Sequence, residues 1–193
     1  MRILVLALLV AVSLSGCATA PHHINDACAI FQQRDGWFNN WYASAKRTER
    51  TYGVPVPVLM ATIRKESGFR PYARPPRRWI LGFIPWKRPS SAYGFSQALN
   101  GTWNRYKSET GHWGADRNSF ADAIDFVGWY HYQSHLQNGI PLNDTYDLYL
   151  AYYFGHTGYA RGAWKNNAAV QGAAKGAAQM ALRYSEQMRV CGL

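Results

Sequence analysis

Five prolines, Pro71, Pro75, Pro76, Pro85 and Pro89, fall between residues 70 and 92. Proline has no amide hydrogen and its ring collides with the preceding turn, so no α-helix can run through this stretch. On both sides of it the apolar residues recur at helical spacing. Ile30, Phe31, Trp37, Phe38, Trp41, Tyr42 and Ala45 lie near a 3.6-residue repeat, which predicts a helical segment from Asp26 to a stop at Gly53. In "VPVPVLMATIRKESGF", Pro57 suits a first helical turn and Gly68 suits the end, predicting a helix over 57–68. After the prolines, helices are predicted over 99–109, 119–137 with Ser119 as N-cap, 145–154 and 168–188, the last weakened by Gly172 and Gly176. There is no repeat and no convincing series of strands. The chain is therefore expected to be mostly α, a single domain, with "RRWILGFIPWK" as a small β flap or an irregular loop inserted after the helix 57–68.

The first residues say where such a domain would work. "MRILVLALLVAVSLSGCATAP" has a basic residue, a short apolar run and a small-residue exit, the pattern of a secretory signal rather than of a spanning helix. Leu14-Ser15-Gly16-Cys17 resembles the lipobox of bacterial lipoproteins, in which the cysteine becomes the acylated first residue; the alternative is an ordinary signal with Cys17 as a bystander. The expected organisation is a leader at 1–16, acylated Cys17 and a tether to residue 25, and a domain over 26–193. Ala18 stands where an aspartate would resemble an inner-membrane retention mark, so the expected location is the outer membrane, facing the periplasm. Loss of the leader removes one charge, Arg2, from a net +10 and leaves +9. So basic a surface attracts acidic polymers, and behind a signal peptide these are the cell wall and lipid headgroups, not nucleic acid. Cys28 and Cys191 remain near the two ends of the domain; an oxidising compartment and an even count favour a disulfide over two buried thiols. The six histidines show no metal-ligand spacing, so no metal is expected.

Glu66 is the residue that most invites a chemical role. On the helix 57–68 it shares a face with Leu59 and Ile63, so a carboxyl lies on the apolar stripe. Partial desolvation and the negative end of the helix dipole both raise its pKa, and a carboxyl protonated near neutrality is a general acid. A surface glutamate paired with Arg70 is the competing reading.

Two further segments bear on that choice. Glu66-Ser67-Gly68-Phe69, Gly94-Phe95-Ser96-Gln97 and Ala151-Tyr152-Tyr153-Phe154-Gly155 occur in the order of three motifs of soluble lytic transglycosylases. The chain resembles that family over most of residues 50–165 and, more distantly, goose-type lysozymes. The resemblance implies a lysozyme-like fold, peptidoglycan strands as partner, no cofactor, and Glu66 as the catalytic acid. It also implies that Ser67, Gly94, Phe95, Gln97, Tyr152 and Tyr153 form the substrate site. The implied chemistry cleaves the bond between N-acetylmuramic acid and N-acetylglucosamine with one carboxylate, closing a 1,6-anhydro ring. Hydrolysis by water would use a second acid. Asp116, Asp122 and Asp125 are the downstream acids to watch, expected to cap or to face solvent.

Phe95-Ser96 and Tyr153 depart from the family pattern, which has Leu-Met and Asn there. The distance from Glu66 to Gly94 is also longer than usual, and the proline segment fills it. That insertion, with Trp79, Trp86 and the neighbouring Tyr93, is a wall of the glycan cleft, a basic aromatic patch facing the membrane, or a loop burying its rings. Tyr146 and Tyr149 read as a core stripe, and His156 and Tyr159 as weaker candidates. Two other functions stay open: a muramidase that uses water, and a non-catalytic peptidoglycan-binding lipoprotein.

Overall fold

The computed structural model describes residues 20–32, 34–35, 39–77, 79–80, 84–85 and 88–193. The leader, Cys17 and Trp86 lie outside the described residues, as does the side chain of Trp79. In chain order the elements are α1 (Ala27–Phe31), β1 (Arg34–Asp35), β2 (Asn39–Asn40), α2 (Trp41–Tyr52), α3 (Val56–Ser67), β3 (Trp79–Ile80), β4 (Ile84–Pro85), α4 (Asn100–Thr110), α5 (Phe120–Asn138), α6 (Thr145–Ala160) and α7 (Ala168–Val190). Among the described residues this makes seven helices, with strand pairing confined to two antiparallel pairs of two residues each and one isolated bridge.

α3 is the axis of the molecule. Val56 and every residue from Val58 to Ile63 are buried, so the helix is enclosed on all sides and not merely along one stripe. Its neighbours are α2, α5 and α7, the last its most extensive. Trp41, at the start of α2, centres the core: its ring stacks on Phe120 at 4.0 Å, meets Phe95 edge-on at 5.5 Å and lies 6.0 Å from Phe69. A second cluster, Tyr149, Leu150, Val170, Ala174 and Ala177, joins α6 to α7.

The helical segment predicted to run from Asp26 to Gly53 is two helices with a strand pair between them. Two caps explain the break. Asp26 accepts from the amides of Cys28 and Ala29, Asn40 accepts from those of Tyr42 and Ala43, and each cap starts a helix of its own. The Asp35-Gly36 dipeptide between them is a turn signal. Downstream, Ser119 caps α5 through the Asp122 amide. α6 passes its predicted end because the chain breaks helical geometry at Gly155 (φ 74°, ψ 160°) and then resumes.

The N-terminal segment is strapped to α7. Tyr184 donates its hydroxyl to the Ile24 carbonyl, Gln187 donates to the Asn25 carbonyl at 3.0 Å and accepts from the Ala27 amide at 2.9 Å, and Cys28 is disulfide-bonded to Cys191.

Candidate active site

Glu66 sits in the last turn of α3, where the enclosed helix emerges. The residue as a whole is half-buried, and its carboxyl lies deep among protein atoms. Burial pushes its pKa up to about 7; the Tyr149 hydroxyl and the Lys65 charge favour the ionised form and hold the rise back. Arg70 does not pair with it: its Nε donates to the Ser67 carbonyl at 2.8 Å. The surface-pair reading of Glu66 is therefore replaced by that of a sunken carboxyl facing tyrosines.

Residues 93–98 form the second wall. Tyr93 and Ala98 pair as an isolated antiparallel bridge, and the turn between them is held by packing against residue 117. Gly94 has φ 77°, and a Cβ there would lie 2.0 Å from the Arg117 carbonyl oxygen, which accepts from the Phe95 amide at 3.0 Å. Only glycine fits both the conformation and the approach. Phe95 is fully buried against Trp41 and Phe120, so it anchors the turn to the core. Gln97, itself at φ 51°, donates its amide nitrogen to the carbonyls of Ala73 (2.9 Å) and Gly94 (2.7 Å).

α6 closes the site from the third side. Tyr152 donates its hydroxyl to the Ser96 carbonyl at 2.6 Å, tying α6 to the turn. Burial, and then the Glu66 charge, push the Tyr152 pKa well up. A cavity of about 240 Å³ lies beside it, with Gln97, Thr102, Tyr130, Tyr152, Tyr153 and Gly155 among its walls. Glu66 is not one of those walls; Tyr152 lines the cavity and is near enough to the carboxyl to feel its charge. Tyr153, where the family motif has asparagine, is 58 % exposed and presents an open ring to the cavity.

Tyr149 was read from the sequence as core alone. It is buried, and its hydroxyl also faces Glu66, whose charge joins burial in raising the tyrosine's pKa. Its position three residues before Tyr152 places both on one face of α6. That spacing was the available signal, and the ordinary look of a tyrosine stripe concealed it.

The remaining expected residues are placed as follows. Ser67 is buried and donates its hydroxyl to the Ile63 carbonyl at 3.2 Å. The Tyr93 ring is half-buried, with Arg74 at 4.2 Å and Arg117 at 5.3 Å from its centre. His156, after the break in α6, stacks on Tyr130 and bonds Ser134 Oγ at 3.1 Å. Asp116 and Asp122 hold backbone amides at the start of α5. Asp125 does neither of the things expected of it, because one oxygen accepts from Tyr106 at 2.7 Å and from Tyr52 at 3.4 Å, joining α4 and α2 to α5. Behind the site, buried His131 meets Thr62 Oγ1 at 2.9 Å, and desolvation, with a smaller contribution from His156, lowers its pKa to about 3, so it is neutral. Among the described residues no three His, Cys, Asp or Glu side chains gather as a metal site would.

A helical domain whose central helix ends in one sunken carboxyl beside a tyrosine-lined cavity is the lysozyme-like class. The family model described as Transglycosylase SLT domain matches residues 5–191, and the chain belongs to that family. Membership implies that the glycan strands of peptidoglycan are what the domain acts on. No curated protein matches the chain.

Proposed function

We propose that the protein is a lytic transglycosylase that cleaves the β-1,4 bond between N-acetylmuramic acid and N-acetylglucosamine and leaves 1,6-anhydromuramic ends. The supporting observation is the Glu66 carboxyl, raised to about 7 by burial against the opposing pull of the Tyr149 hydroxyl and the Lys65 charge. Protonated Glu66 gives its proton to the glycosidic oxygen, and the N-acetylglucosamine leaves with it. The resulting carboxylate takes the proton of the muramyl C6 hydroxyl, whose oxygen bonds to C1, so no water is consumed. Hydrolytic glycosidases instead set a second carboxyl about 5–9.5 Å from the first. Tyr149 orients the carboxyl, Gln97 and Tyr152 shape the sugar sites, and Tyr153 offers a ring for stacking.

The proposed setting is the outer membrane, with the acylated Cys17 as anchor and the domain in the periplasm. Full-length protein and its Glu66→Gln variant incubated with purified sacculi test the reading by mass spectrometry of the released muropeptides. Anhydro ends that vanish in the variant are expected. Reducing ends would make the protein a muramidase, and no release by a folded, sacculus-bound protein would make it a binding lipoprotein. A Cys17→Ala variant is expected to leave the outer-membrane fraction; retention there would sink the anchor.

A further inference from the structure

No Asp or Glu occurs between Glu66 and Glu109, whereas Arg70, Arg74, Arg77, Arg78, Lys87 and Arg88 all fall in the insertion. Three of these cations converge. Arg70, Arg74 and Arg88 line one open pocket of about 490 Å³ together with Tyr72 and Ala73. Their guanidinium groups are only partly used: Arg70 gives Nε to the Ser67 carbonyl and Arg88 gives Nη1 to the Pro75 carbonyl. A guanidinium has five N–H donors, so each keeps several for a ligand. Among the described residues no carboxylate forms an ion pair with any of the three.

Arg74 also carries a like-charge cost from a cation outside the pocket. Arg74 and Arg117 lie over the same Tyr93 ring, and the Arg117 pKa is lowered by burial and then by Arg74. An anion in the pocket would offset that repulsion, and planar carboxylates match the guanidinium fork. The pocket is joined to the glycan cleft through one residue. The Ala73 carbonyl accepts from the Gly94 amide at 3.0 Å and from Gln97 Nε2 at 2.9 Å, so its wall is also the support of the turn that lines the cleft. A group bound there lies one residue from the turn that lines the cleft, so it can belong to the same molecule as a sugar beside Gln97. Where a stem is attached, the muramyl lactyl carboxyl is tied up as an amide and the free carboxylates are those of the peptide; a strand stripped of its stems exposes the lactyl carboxylate instead.

We propose that the pocket of Arg70, Arg74 and Arg88 binds a carboxylate of the peptide stem, making the protein selective for stem-bearing strands. This rests on peptidoglycan as the substrate, and a binding measurement separates its failure from failure of the catalytic reading. Full-length protein is titrated with a disaccharide-peptide and with the same disaccharide whose lactyl carboxyl is capped as a simple amide in place of the peptide. Binding about tenfold tighter with the stem is expected, the difference being lost in Arg74→Gln/Arg88→Gln and largely restored in Arg74→Lys/Arg88→Lys. Circular dichroism confirms that the variants fold. Equal affinity for the two ligands, or a difference that survives in the glutamine variant, overturns the proposal. A Cys17→Ala protein mixed with phosphatidylglycerol vesicles supplies the other arm. Loss of vesicle binding in the glutamine variant, with discrimination between the two sugars intact, would give the pocket to a lipid phosphate and overturn it as well.

Discussion

Glu66 carries two opposed demands, since a carboxyl useful as an acid near neutrality is one that the fold holds uncomfortably. Because the protonated form donates, turnover should fall as pH rises through about 7. The Tyr149 hydroxyl stabilises the ionised form, so its removal must raise the carboxyl pKa further. In Tyr149→Phe the alkaline limb of kcat/KM should therefore move to higher pH, and a limb that stays put or moves down would deny Tyr149 its contact with the acid. Stability follows with its own sign. Below the ordinary glutamate value, both folded and unfolded chains are protonated; between there and about 7 only the folded chain keeps its proton, so stability falls as pH rises and levels off above. Glu66→Gln, which mimics the protonated form, should be more stable to unfolding than the parent at pH 8, by up to about 3 kcal/mol, with the gap closing near pH 4. A constant gap would mean that the carboxyl is not desolvated. The sunken carboxyl was legible in the sequence because a charged residue interrupted an apolar stripe at a defined helical spacing. Tyr149 was not, because a tyrosine that packs and a tyrosine that packs and also donates leave the same pattern.

Helices were the legible elements, and the turn that completes the site was not. Ser119, Pro57, Gly68 and Gly53 are local signals, each acting within a few residues of where it stands. The 93–98 turn depends instead on contacts from elsewhere: the Arg117 carbonyl, the Ala73 carbonyl, and Trp41 and Phe120 around Phe95. No window of sequence contains those partners. The same reasoning accounts for the misjudged segment before α2, where two caps competed with a helical periodicity and won. Gly94→Ala tests the turn as a unit. The added methyl meets a backbone oxygen that must stay to bind Phe95, in a conformation that L-residues avoid, so the variant should lose about 3 kcal/mol or more. Chemical denaturation reads that directly. A loss under about 1 kcal/mol would show that the turn relaxes freely and that its geometry is not set by Arg117.

At the scale of the whole chain, one crosslink and a few hydrogen bonds strap the N-terminal segment to α7. The Cys28–Cys191 bridge spans a separation of 163 residues and ties α1 to the end of α7, the helix packed most extensively on α3. Arg64 of α3 reaches the same strap, donating to Asn25 Oδ1 at 2.9 Å. In the chain-entropy account a loop this long restricts the unfolded chain by on the order of 5 kcal/mol. The native contacts of the strap, Gln187 with Asn25 and Ala27 and Tyr184 with Ile24, do not depend on the bridge. Cys28→Ala/Cys191→Ala should therefore fold to the same structure and cleave sacculi normally at moderate temperature, while unfolding at distinctly lower denaturant. Because the effect lies in the unfolded chain, the double variant should also show a steeper dependence on denaturant, as its unfolded state exposes more surface. An unchanged midpoint would place the stability of the enclosed helix in its packing alone. A lowered midpoint accompanied by lost cleavage under native conditions would instead make the strap part of what holds Glu66 in its cleft.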